Sequence, residues 1–221
     1  MVEQLRNTSV GNAFYRVMQH HLLPPIQNSG LTPNQMSFIG VVLALLVPFG
    51  FYLHPALGLL LIVASGIADS MDGLLARREA KCSAFGAFLD SSLDRLSDFF
   101  YLMGFWTLFW QRPGQTAATL VVFAALLFTL LISYVKARAE ALGVDCNVGL
   151  MERGVRVIYL IAWALVLTMF SDQRTSLLWG GLVAYGVLTL LTVLQRIRYV
   201  GKQLHAAAGV CDSAPSFRTS R

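Results

Sequence analysis

Four aspartates could do chemistry together: Asp69 and Asp72, three residues apart, and Asp90 and Asp94, four apart. Residues at these spacings share one face of a helix, so each pair presents two carboxylates side by side. A short basic connection, around Arg78 to Lys81, makes the two segments antiparallel neighbours whose acidic faces can converge on one site. Carboxylate oxygens without histidine or thiolate favour a hard divalent cation such as Mg²⁺ or Mn²⁺. Four of them suit one or two ions. Without cations the group would repel itself, and one aspartate at the centre of a membrane helix costs ~3 kcal/mol. Either some of the aspartates are protonated or cations neutralise them, and Arg77, Arg78 and Arg95 can supply part of that charge.

Small residues surround the acids. Gly73 and Ala76 lie on the Asp69/Asp72 face, and Gly86 lies one turn before Asp90. They permit close helix packing in lipid, and beside carboxylates they also open space for a ligand at the metal. Arg77, at the helix exit, can hold a phosphate bidentately or snorkel to the membrane surface. Upstream, Thr32 can cap a helix, Pro33 suits its first position, and Gln35 can close a capping box. The free N–H groups of that helix start can also face a phosphate. A second basic group, Lys136, Arg153 and Arg156, comes from two further helix ends. It serves either membrane topology or a second anionic substrate.

These residues need elements to hold them. Of 221 residues, 56% are hydrophobic and 13% charged, against about 25% charged in soluble domains. That balance excludes an ordinary soluble enzyme and a disordered chain. Cys82, Cys146 and Cys211 have no CxxC spacing, which excludes a disulfide scaffold and a zinc ribbon. An all-α integral membrane protein remains. A spanning helix needs ~20 mostly apolar residues, and six candidates emerge: about 36–53, 56 to near Asp72, 83–110, 117–138, 154–170 and 177–197. Residues 1–31 read as an amphipathic segment at the membrane interface, with Val10, Phe14, Val17, Met18 and Leu22 at helical spacing. Residues 32–202 form the six-helix domain, and 203–221 a mobile tail.

Six spans put both termini on one side. On that side fall fifteen of the seventeen lysines and arginines, leaving Arg112 and Arg174 on the other. The positive-inside rule makes that side cytoplasmic, with the acidic site at the same surface of the cell membrane. The basic residues are not interleaved with aromatic platforms, so no nucleic-acid partner is expected.

The spacing Asp69-x2-Asp72-Gly73-x2-Ala76-Arg77-x8-Gly86-x3-Asp90-x3-Asp94 resembles the signature of the CDP-alcohol phosphatidyltransferases at all eight fixed positions. The resemblance implies a reaction in which an alcohol attacks the lipid-side phosphorus of a CDP-lipid and CMP leaves. It implies that Asp69, Asp72, Asp90 and Asp94 ligate Mg²⁺ or Mn²⁺, with Asp94 also the general base. It places Thr32, Pro33, Asn34, Gln35, Gly73, Ala76, Arg77, Ser83 and Gly86 around the CDP-lipid, and implies a homodimer. Asp98, four residues beyond Asp94, lies outside the signature and reads as a supporting or packing residue.

The run from Ser133 to Glu140, followed by Glu152-Arg153-x2-Arg156, is similar to the phosphatidylinositol-phosphate and archaetidylinositol-phosphate synthases. That implies inositol 1-phosphate as acceptor, its phosphate held by Lys136 and Arg156, with Arg153, Arg196 and Arg198 as further candidates. Glycerol 3-phosphate is the alternative acceptor, because charge alone does not separate the two. A cation transporter is the alternative from another class. It would spread its acids through the membrane depth, whereas these cluster at one end.

Overall fold

A computed structural model describes residues 16, 18–78, 83–170 and 174–212. Val10, Phe14 and Val17 of the expected amphipathic segment, Lys81, and the turn at 171–173 lie outside the described residues. A π turn, Met18–Leu22, leads into the short helix α1, Leu23–Asn28. Six longer helices follow: α2 (Pro33–Leu53), α3 (Pro55–Arg78), α4 (Ala84–Thr107), α5 (Gln115–Ala141), α6 (Arg153–Met169) and α7 (Arg174–Asp212). No strand occurs among the described residues.

The helix starts follow local chemistry. Thr32 Oγ1 accepts from the Gln35 amide at 3.4 Å, and the Thr32 amide donates to Gln35 Oε1 at 2.9 Å. This is the capping box expected there, with Pro33 opening the helix. Ser83 caps α4 by accepting from the Gly86 amide at 2.9 Å. Helix α5 ends at a turn in which Gly143 has φ +76°, a left-handed geometry that glycine adopts without strain.

Small residues let α2 pack against α3 and α4. A Cβ on Gly104 would lie 2.7 Å from both Phe51 and Val47, and one on Gly58 would collide with the Phe51 ring. Phe51 therefore fills a slot between two glycines. From it an aromatic relay crosses the bundle. Phe51 meets Phe105 at 4.8 Å between ring centroids, and Phe105 stacks on Trp163 at 4.0 Å. Trp163 Nε1 donates to the Leu177 carbonyl at 3.1 Å, which joins α4, α6 and α7. Outside this core, Phe38, Phe49, Tyr52, Leu60, Leu120 and Phe123 are exposed. A belt of large apolar side chains on this scale requires lipid around it.

Four of the six expected spans are long and apolar enough to cross a membrane: α2, α3, α5 and Thr175–Ala206 of α7. Helix α4 fails that criterion through its acids and arginine, and α6 has 17 residues, roughly 26 Å at a rise of 1.5 Å per residue. The last helix continues past Leu204 to Asp212, where the sequence suggests a tail.

Candidate active site

The carboxylates gather where α3 ends and α4 begins. One oxygen from each of Asp69, Asp72 and Asp90 lies within 4.8 Å of the others. Asp72 is buried and the other two are half-buried. The donor set is all carboxylate oxygen, which suits Mg²⁺ or Mn²⁺, so these residues fit the expected metal. Ser37 supports the group from α2: its hydroxyl donates to Asp72 Oδ2 at 2.5 Å. The sequence reading missed Ser37. Its position four residues after Pro33, on the inner face of the capped helix, was the available signal.

Asp94 stands one turn along α4 and joins through Arg153. The Arg153 guanidinium grips Asp69 with both terminal nitrogens, Nη1 to Oδ2 and Nη2 to Oδ1, each at 2.7 Å. The same Nη2 lies 2.8 Å from Asp94 Oδ1. Yet that oxygen is buried without a well-formed hydrogen bond. A buried carboxylate oxygen with a charge beside it and no directed donor has capacity left for a ligand. On its other side, Asp94 Oδ2 is 3.8 Å from Arg95, whose guanidinium also donates to the Ser91 carbonyl.

The expected phosphate-side residues fall around this centre. A Cβ on Gly86 would lie 3.0 Å from Ser83 Oγ and 3.8 Å from Asn34 Oδ1, so the α2 start and the α4 start meet. A Cβ on Gly73 would meet, among the described residues, only Arg77, at 3.7 Å. Ala76 is half-buried, and Arg77 and Arg78 are exposed. A cavity of about 590 Å³ lies between the π turn and the end of α3, lined in part by His20, Leu23, Arg77 and Arg78.

The second basic group is divided. Lys136 Nζ donates to Asn147 Oδ1 at 3.1 Å and sits 3.7 Å from Glu140. Arg196 reaches across the bundle, donating from Nε to the Val148 carbonyl at 2.8 Å and from Nη1 to the Ile132 carbonyl at 2.7 Å. With Thr192, which accepts from the Met151 amide at 3.1 Å, Arg196 docks the 142–152 loop on α7. Gly149 allows the fit, with φ +117° and Thr192 against it. Arg156 is buried on Asp98, with Nη2 to Oδ2 at 2.6 Å. Arg198 is exposed, whereas Arg196 is buried.

Comparisons with known proteins agree on one family. A family model described as CDP-alcohol phosphatidyltransferase matches residues 30–195. An archaetidylinositol phosphate synthase of Methanothermobacter thermautotrophicus is 33% identical over 199 residues, covering 90% of this chain and 97% of that one. A phosphatidylinositol phosphate synthase of Mycobacteroides abscessus is 32% identical, covering 88% and 87%. Crystal structures of the Mycobacterium tuberculosis phosphatidylinositol phosphate synthase are 26% identical and cover 81% of this chain. One, with manganese and citrate, superposes at TM-score 0.70 over 87% of its chain. Another, with CDP-DAG bound, does so at 0.68 over 91%.

Proposed function

The chain belongs to the CDP-alcohol phosphatidyltransferase family, and on that premise we propose that it transfers a phosphatidyl or archaetidyl group from a CDP-lipid to inositol 1-phosphate. The observation that carries this is the convergence of Asp69, Asp72 and Asp90 within 4.8 Å, with Asp94 linked to them through Arg153. Asp69, Asp72 and Asp90 would hold Mg²⁺ or Mn²⁺, with Asp94 beside them as a further ligand. When bound, the ion supplies positive charge to the phosphate oxygens and stabilises the charge that builds during displacement.

The chain's own residues do the rest. The acceptor hydroxyl oxygen forms the new bond to the lipid-side phosphorus, the bond from that phosphorus to CMP breaks, and CMP leaves with the electron pair. Asp94 takes the hydroxyl proton, as a carboxylate beside the attacking group can. The CDP-lipid lies along the start of α2 (Thr32 to Gln35), Ser83, Gly86, Gly73, Ala76 and Arg77. The half-open face at Gly73 and the meeting of Asn34 with Gly86 support that placement. The acceptor phosphate lies between the 142–152 loop, where Lys136 meets Asn147, and the start of α6, where Arg153 meets Asp69, with Arg156 and Arg196 bracing those two segments. Relatives named for inositol phosphate lipids support this acceptor.

The protein is a multi-pass membrane protein. We further propose that α4 and α6 complete six spans with both termini and the site in the cytoplasm. Helix α4 turns Asp94 and Asp98 inward and exposes Phe85, Phe88 and Phe99, so its charges need not meet lipid. Homodimer formation rests on the resemblance alone, and mass photometry of the detergent-solubilised protein tests it. The reaction is tested by purified protein with Mn²⁺, CDP-diacylglycerol and inositol 1-phosphate. CMP and lipid product should appear in equal amounts and cease with a chelator. No CMP release with any acceptor would defeat the proposal.

A further inference from the structure

We infer that Asp98 is a positioning residue for the acceptor half of the reaction, fixing through Arg156 the start of α6 and the guanidinium of Arg153. The inference rests on the acceptor reading given above.

Asp94 and Asp98 are one turn apart on α4, and Arg153 and Arg156 one turn apart on α6. They meet as two rungs: Arg153 Nη2 to Asp94 Oδ1 at 2.8 Å, and Arg156 Nη2 to Asp98 Oδ2 at 2.6 Å. The first rung is in the site. The second lies beneath it, with Asp98 3% and Arg156 2% exposed, too deep to be a solvated charge pair.

Helix α6 needs such an anchor. Its N-cap, Glu152, makes no side-chain capping bond. Instead Arg156 Nη1 donates back to the Met151 carbonyl at 3.0 Å, fastening the residues that lead into Arg153. Asp98 fixes that arginine from α4. The connection thus runs from the helix bearing Asp90 and Asp94 to the helix that begins with Arg153.

Stability is a poor reason for this pair. A buried ion pair is often no better than apolar residues of the same volume. This one also leaves Asp98 Oδ1 and Arg156 Nε buried without partners among the described residues. What the pair does supply is register: it sets where Arg153 stands between Asp69 and Asp94.

The test uses the full chain in detergent, with Asp98→Asn and the conservative Asp98→Glu, their folding checked by thermal unfolding. For Asp98→Asn the KM for inositol 1-phosphate should rise about tenfold or more, the loss expected for a bond to a buried charge. The KM for CDP-diacylglycerol should be unchanged, and Asp98→Glu should recover part of the acceptor KM. A folded Asp98→Asn protein with unchanged acceptor KM, or with both KM values raised together, overturns the inference. If Asp98→Asn does not fold, Asp98→Leu with Arg156→Met removes the pair without stranding a charge, and the same KM comparison decides. Failure of the wild-type protein to use any phosphorylated alcohol would instead defeat the acceptor reading itself.

Discussion

At the scale of single residues, the site separates holding a cation from handling a proton. The three converging oxygens come from Asp69, Asp72 and Asp90, while Asp94 is reached through Arg153. Asp94→Asn keeps the size and removes the base, so kcat should fall roughly 10²–10⁴-fold. Its effect on Mn²⁺ binding should be weaker than that of Asp72→Asn. Paired turnover and electron paramagnetic resonance titrations check this, and equal loss of binding in the two variants would merge the roles. The aspartates and their glycines were legible because spacings of three and four residues suffice to put them on one face. The partners of the arginines were not. Arg153 meets Asp69 across 84 positions of sequence, and Arg196 spends its donors on the carbonyls of Ile132 and Val148, groups that every residue carries. From sequence both read as free cations awaiting a phosphate.

At the scale of elements, glycine placement decides how closely α2, α3 and α4 approach, and hence whether the two acidic faces meet. Gly104→Val would drive a side chain into Phe51 and Val47, an overpacking that costs about 1–3 kcal/mol. Thermal unfolding in detergent should register that cost, and an unchanged midpoint would contradict the packing account. Helix identity was largely legible, since caps at Thr32 and Ser83 and breaks at His54 and Gly114 are local signals. Less legible was the end of α7, where the run of alanines from 206 to 208 favours continued helix and the helix extends to Asp212. Spanning helices were legible where apolar all round. In α4, buried pairing with arginines offsets acids that hydropathy counts in full.

At the scale of the whole molecule, the exposed apolar belt and the one-sided basic charge predict orientation. With Cys82 and Cys211 changed to serine, a cysteine placed at exposed Gln111 should react with an impermeant maleimide in right-side-out vesicles. One at exposed Glu140 should not. The reverse pattern would invert the proposed topology.

The central claim is tested most directly by acceptor choice. Purified protein with Mn²⁺ and CDP-diacylglycerol is given inositol 1-phosphate, glycerol 3-phosphate, free inositol or serine, and CMP release is followed for each. Turnover with inositol 1-phosphate far above the others is the predicted result. Turnover confined to free inositol or serine would contradict it, since neither brings the phosphate that Lys136 and Arg153 are proposed to hold.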